Sequence, residues 1–283
     1  MLPAAKAPLT LPVRDRGARW HDKTKKGFET FVGMVELHYP SASTLEEWLY
    51  YSQLNQRDAL RHGIEHYRRS EFCRGALIWQ LNDCWPVQSW AVIDSLGELK
   101  AAAYELERLY APALVSLQLE GERCRVWTVL DNACDELRAS LVLEARSLVD
   151  GRLLQRWQQN VELLPGARGV ALELPLADFE PTTTLLSASF AGRVTHRLLC
   201  EPKQVELREP QLVAALEDGE LVLTSDVPLV EVFLWDAEQA LTLSHNFVTL
   251  PSGGSARLGA CSHRPERLQA RSLKGAHRVA FRD

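Results

Sequence analysis

The chain has 283 residues, 46% apolar and 24% charged, with a net charge of −5. That length can bury one large core or two to three smaller ones. The acidic balance argues against nucleic acid or an anionic membrane surface as the main partner. No apolar run reaches the roughly 18 residues of a membrane-spanning helix, and the first 20 residues carry no signal-peptide block. Six cysteines, Cys73, Cys84, Cys124, Cys134, Cys200 and Cys261, lack metal-ligand spacing and read as reduced thiols of a cytoplasmic protein.

Residues 1–42 show no clear period and read as irregular, with a basic cluster at Lys23, Lys25 and Lys26. The strongest helix signal covers 44–69. It starts with a Ser43–Glu46 capping box, in which hydroxyl and carboxylate each satisfy a free backbone N–H. It carries Leu45, Trp48, Leu49, Leu54, Leu60 and Ile64 along one face and ends on Arg68 and Arg69. His62 and His66 share a helix face without a third metal ligand, and Gln53 and Asn55 read as structural.

Residues 75–81, GALIWQL, form a short apolar run that predicts a strand buried on both faces, as in a parallel sheet. Asn82, Asp83 and Pro86 end it. A strand-like Trp90–Ile93 and a helix over 97–109, closed by Pro112, follow. Helix, buried strand, loop and helix fit the last βα units of a parallel α/β fold.

Beyond residue 112 the chain changes character, which predicts a domain boundary. Seven short strands at roughly ten-residue spacing, over 114–119, 125–130, 137–143, 153–161, 170–174, 185–190 and 195–200, have the pattern of an immunoglobulin-like β-sandwich. Shorter runs at 213–216, 220–224, 230–235, 240–243 and 279–281 predict a second, smaller sandwich. The expected domains are therefore 1–112, 113–202 and 203–283.

Residues 49–112, above all Trp79-Gln80-Leu81-Asn82-Asp83-Cys84-Trp85-Pro86, resemble the end of the catalytic barrel of β-mannosidases of glycoside hydrolase family two. Leu243-Ser244-His245-Asn246-Phe247, then Leu250-Pro251-Ser252-Gly253, is similar to a "DNFF…LLPGE" stretch of that family's last β-sandwich, with His245 in place of Asp and Ser252 intruding before Gly. The resemblance implies the end of a (β/α)8 TIM barrel followed by two immunoglobulin-like β-sandwich domains. It also implies retaining hydrolysis of terminal β-mannosyl residues by two glutamates about 5–5.5 Å apart. In the family one glutamate follows the fourth barrel strand and the other ends the seventh, within Ser-Glu-Phe/Tyr-Gly. Both positions fall upstream of helix 44–69, so no catalytic residue is assigned in this chain.

Two glutamates test that assignment. Ser70-Glu71-Phe72 looks like the nucleophile motif, but Cys73 and Arg74 replace its glycine. Glu71 also precedes strand 75–81, which places it at the stability face of a barrel rather than at the catalytic C-terminal rim. Glu36 follows an apolar run, with nothing of the motif around it.

The resemblance makes Trp79, Asn82, Asp83 and Trp85 the substrate-binding candidates. An indole at the end of the eighth barrel strand offers a flat apolar surface to the C–H face of a pyranose. Asn82 and Asp83 either bond sugar hydroxyls or hold neighbouring side chains in place, or else end the strand as turn residues that bond their own backbone. No cofactor and no metal are expected. The expected partners are a β-mannoside oligosaccharide or glycoconjugate and an upstream catalytic half. Two other readings stay open: a stand-alone β-sandwich carbohydrate-binding or interaction module, and a relative acting on β-galactosides or β-glucuronides. An exposed aromatic stripe on a sandwich would favour the module.

Overall fold

The computed structural model describes residues 19–23, 27–73, 75–238, 241, 243–261 and 264–282. Lys25, Lys26 and parts of the strand expected over 240–243 lie outside the described residues.

Residues 28–38, expected to be irregular, form a helix. Helix α1 (Phe28–His38) buries Phe28, Val32 and Val35 and ends before Pro40. That i, i+4, i+7 spacing is the sequence signal for it. Helix α2 (Leu45–Arg69) is the long helix expected, but its cap sits one residue later than Ser43–Glu46. Thr44 accepts from the Glu47 N–H at 3.2 Å, and Glu47 Oε2 accepts from the backbone N–H groups of Ser43 (2.8 Å) and Thr44 (3.3 Å). Two hydroxyl residues face two glutamates here, and packing chooses between the registers: this one leaves Trp48, Tyr51 and Leu54 buried against α1. Helix α3 (Ala101–Leu109) starts four residues after the expected position. The turn at Asp94–Glu98, with Gly97 at φ 87°, occupies its predicted first turn.

The stretch 75–81 corrects the expectation of a strand buried on both faces. It forms no ladder, and Leu77, Trp79 and Leu81 are exposed. The physical reason is that none of the described residues supplies a neighbouring strand along it. Its end does pair: Asn82 forms a parallel bridge with Ile93, and Ile93 an antiparallel one with Leu99.

The first β unit contains seven strands in two sheets: β1 (Ala113–Glu120), β2 (Arg123–Leu130) and β5 (Arg168–Pro175) in the order β1-β2-β5, and β3 (Leu137–Ser147), β4 (Leu153–Leu163), β6 (Thr184–Phe190) and β7 (Arg193–Leu198) in the order β4-β3-β6-β7. They enclose Leu117, Val126, Leu141, Leu143, Leu186 and Phe190. Hairpin β6–β7 turns on Ala191 and Gly192, both at positive φ, which matches the strand twist in a two-residue turn.

The second β unit departs from the expected small sandwich. β8 (Leu212–Glu217), β9 (Glu220–Ser225), β10 (Leu229–Asp236), β11 (Val248–Leu250), β12 (Gly254–Ala260), β13 (Leu268–Ser272) and β14 (Gly275–Phe281) form one continuous mixed sheet, β11-β10-β13-β14-β8-β9-β12. The parallel β14–β8 pairing joins its two halves, and the sheet curls around Leu221, Leu223, Val232, Leu234 and Leu258. Phe233 and Phe247 face the other way and join the core of Trp48, Tyr50, Tyr51 and Leu54. The helices are thereby fastened to the second β unit.

Candidate functional site: an aromatic loop

Residues 79–93 make a loop whose outer surface carries Trp79, 75% exposed, Asn82, also exposed, and Trp85, 38% exposed. The Trp79–Gln80 peptide is cis. Leu81 and Asp83 exchange backbone hydrogen bonds with Ile93, at 2.8 and 3.1 Å, so both ends of the loop are tied together.

Three elements hold the loop from behind. From α2, Trp48 Nε1 donates to Gln88 Oε1 (2.8 Å) and Gln56 Nε2 to the Trp90 carbonyl (2.7 Å). From residues 21–23, Asp22 bridges to Gln88, His21 lies 5.4 Å from Trp85 between ring centroids, and Lys23 stands 5.6 Å over the Trp90 ring. From the start of α3, Lys100 reaches Asp83. Gln53 accepts from the Ala101 N–H at 3.0 Å and so caps α3, the structural role expected for it.

Asp83 lies beneath this surface. Its side chain is 1% exposed, with Oδ2 3.0 Å from Lys100 Nζ and Oδ1 3.6 Å from Lys23 Nζ. The Ser89 hydroxyl sits 2.8 and 2.7 Å from the two carboxylate oxygens. The Asn82 amide donates to the Asp83 carbonyl at 3.2 Å and lies at the surface with the two indoles. Sequence reasoning found the loop but missed Lys100, Ser89 and Gln88, because their partners are 17, 6 and 40 residues away along the chain.

The arrangement can stack and hydrogen-bond a neutral ring. It offers no exposed carboxylate for acid–base chemistry, because Asp83 is the sole carboxylate in 79–93 and is covered. Glu71 is exposed in the turn after α2, and Glu36 is half-buried on α1. His62 and His66 are exposed on α2, and no group of three metal-binding side chains occurs among the described residues. One alignment the sequence did not suggest is Ser272–His277–Glu209, with Oγ to Nε2 at 2.7 Å and Nδ1 to the Glu209 carboxylate at 3.0 Å. Ser272 is 0% exposed and also accepts from the Lys274 N–H, so the alignment closes the β13–β14 hairpin instead of facing a substrate.

No protein-family model matches the chain. Curated relatives do. Beta-mannosidase B of Aspergillus niger is 38% identical over 84 residues, 28% of this chain and 10% of its own length. Beta-mannosidase B of Aspergillus clavatus is 24% identical over 248 residues, 77% of this chain and 29% of its own length. Among solved structures, β-D-mannosidase from Dictyoglomus thermophilum superimposes with a TM-score of 0.79 at 20% identity, over 95% of this chain and 34% of that one. The Amycolatopsis orientalis exo-chitosanase follows the same fold, with a TM-score of 0.70 at 15% identity, over 93% and 38% of the two chains.

These proteins are glycoside hydrolases, and the stretches matched span between about a tenth and two fifths of their own lengths. The chain is similar to part of the β-mannosidases, in sequence most clearly over 84 residues and in fold over most of its length.

Proposed function

We propose that this chain forms the C-terminal part of a retaining β-mannosidase, in which Trp79, Asn82 and Trp85 line the sugar site. The two glutamates of the reaction would come from an upstream catalytic half. The observation that carries this reading is a braced loop that presents two exposed indoles and an amide but no accessible carboxylate. That surface suits the C–H face and hydroxyls of a neutral pyranose, while acid–base and nucleophilic chemistry requires carboxylates placed elsewhere. The extended 75–81 segment would then be the barrel's eighth strand, flanked by strands of the upstream half. Six cysteine thiols outside any disulfide fit a reducing, cytoplasmic setting.

The sandwich-module reading is the weaker one. Among the described residues, every strongly exposed aromatic lies before residue 112, and none lies on either β unit. Trp157 borders a cavity of about 370 Å³ but packs edge-on against Phe179 with the core.

The test is to express this sequence joined to the coding sequence that precedes it and assay aryl β-mannoside, β-galactoside and β-glucuronide. Preference for the mannoside, with Trp79→Ala lowering kcat/KM by about 100-fold as expected for a lost stacking surface of ~3 kcal/mol, supports the proposal. Preference for another sugar, or indifference to Trp79, overturns it.

A further inference from the structure

We propose that Asp83 is a positioning residue. Through Lys100 and Ser89 it would set the height and tilt of the surface formed by Trp79, Asn82 and Trp85. The inference rests on the sugar-platform reading above and adds a role for a carboxylate that cannot touch the sugar.

The argument starts from contrast along the chain. Asn82, Cys84 and Trp85 are exposed, while the Asp83 side chain between them is 1% exposed. A carboxylate leaves water at a cost of several kcal/mol, repaid only with good geometry. Here the geometry is complete: Lys100 at 3.0 Å, Lys23 at 3.6 Å and the Ser89 hydroxyl on both oxygens. Such a pair is weak grounds for stability, since apolar residues of equal size often do as well. Its value lies in fixing one arrangement.

What it fixes follows from the backbone. The Lys100 N–H donates to the Val92 carbonyl at 3.0 Å, the Ile93 N–H to Leu81 at 2.8 Å and the Asp83 N–H to Ile93 at 3.1 Å. The Asp83–Lys100 contact closes this ring from the side-chain direction and ties it to the residue that precedes α3. Ser89 passes the constraint onward, because its Oγ also accepts from the Ala91 N–H at 3.0 Å. Lys23 carries it to Trp90, over whose ring it stands. The indoles flank this ring of contacts, so a carboxylate that shifts would take them with it.

The experiment labels the chain with 5-fluorotryptophan and follows the indole resonances by fluorine NMR, assigned by single Trp→Phe changes. Asp83→Asn keeps the shape and removes the charge. The resonances of Trp79 and Trp85 should shift and broaden, while those of Trp127, Trp157 and Trp235 stay in place. Asp83→Asn alone also leaves Lys100 buried without its counter-charge, so Asp83→Asn with Lys100→Met provides the control. Recovery of Tm in the double variant with Trp79 and Trp85 still displaced supports positioning. Recovery of both, or undisturbed loop resonances in Asp83→Asn, overturns it. The activity of the joined protein separates this inference from the reading beneath it. If Trp79→Ala leaves its kcat/KM on the aryl β-mannoside unchanged while Asp83→Asn still displaces the loop, the platform reading fails and the positioning role stands.

Discussion

Arg57 of α2 meets Glu231 of β10 in an ion pair at the place where the helices join the second β unit. Arg57 also holds Asp58 at 2.6 Å, and Tyr39 donates to Asp58 at 2.6 Å. Glu231 sits at φ 59°, a left-handed conformation unfavourable for a residue with a side chain, in a bulge where β10 and β11 lose register. Its carbonyl accepts from the Tyr50 hydroxyl at 2.6 Å, and Thr249 Oγ1 accepts from its N–H at 3.2 Å. Burial raises the Glu231 pKa, and Arg57 opposes it. Burial also works against ionising Asp58, but Arg57 and Tyr39 outweigh it and lower its pKa.

Removing Arg57 should therefore be costly. Arg57→Leu leaves Glu231 and Asp58 without their cation and should lower the unfolding free energy by about 3–5 kcal/mol. Adding Glu231→Gln to that variant should restore part of the loss. Urea unfolding checks both. A loss below about 1 kcal/mol would mean that the pair carries no weight.

Asn246 imitates a strand residue. Its Oδ1 accepts from the Leu234 N–H at 2.9 Å and its Nδ2 donates to the Leu234 carbonyl at 2.8 Å. It thus pairs both backbone groups of one β10 residue and turns Phe247, at φ 53°, toward Phe233, 4.7 Å away between centroids. Asn246→Ala should cost about 2–3 kcal/mol by leaving buried groups unpaired. Asn246→Asp cannot donate to the Leu234 carbonyl and should not recover the loss. Thermal unfolding of the three proteins gives the ranking.

His196 predicts a pH dependence. Burial, then the charge of Arg61, bring its pKa from 6.5 down to about 4, while Nδ1 lies 2.9 Å from Ser187 Oγ. The folded chain thus binds this proton less readily than the unfolded one, and stability falls as pH drops from about 6.5 to about 4. A ring sealed from water would lose ~1.4 kcal/mol for each pH unit between those two values. This ring keeps some solvent contact, so a smaller total of about 2 kcal/mol is expected. His196→Gln should lose this part of the slope. Denaturation series between neutral pH and about pH 4 on both proteins would show whether the slopes differ.

Phe72 is 94% exposed, Leu77 101%, Trp79 75% and Leu81 65%. Extended backbone with apolar side chains and unpaired edges favours association. The purified chain should self-associate with rising concentration, and Leu77→Lys with Leu81→Lys should suppress this at unchanged Tm. Sedimentation velocity measures the first outcome and calorimetry the second.

The sequence made α2, the seven strands of the first β unit and the aromatic loop readable, each for a local reason. α2 has a cap and a periodic face, the strands are separated by turn residues, and the loop has a distinctive run of residues. Among the missed elements α1 carries only a short periodic face, Phe28, Val32 and Val35, and the missed strands lack even that. β12 reads Gly-Ser-Ala-Arg-Leu-Gly-Ala and β13 Leu-Gln-Ala-Arg-Ser, so their strand state comes from neighbours rather than propensity. Residues 75–81 show the reverse: an apolar run predicts burial only if something is there to bury it. At the loop, contact with a sugar is suggested by the family resemblance and not by the residue types alone. That Asp83 faces inward depends on Lys100, which no local pattern links to it.

α2 also works as a ruler. Near its start Glu47 approaches Arg271 of β13 at 3.7 Å. In its middle Arg61 bonds Thr195 of β7 at 2.7 Å. At its end Arg68 holds Asp131 at 2.6 Å and Arg69 reaches Ser116 of β1 at 3.1 Å. One added residue would turn everything beyond it by about 100° and advance it by about 1.5 Å, so these appointments could not all be kept at once. Changes of chain length should be absorbed at hairpin tips such as Asp218-Gly219, while the count of residues between Glu47 and Arg69 stays fixed in any working descendant of this sequence.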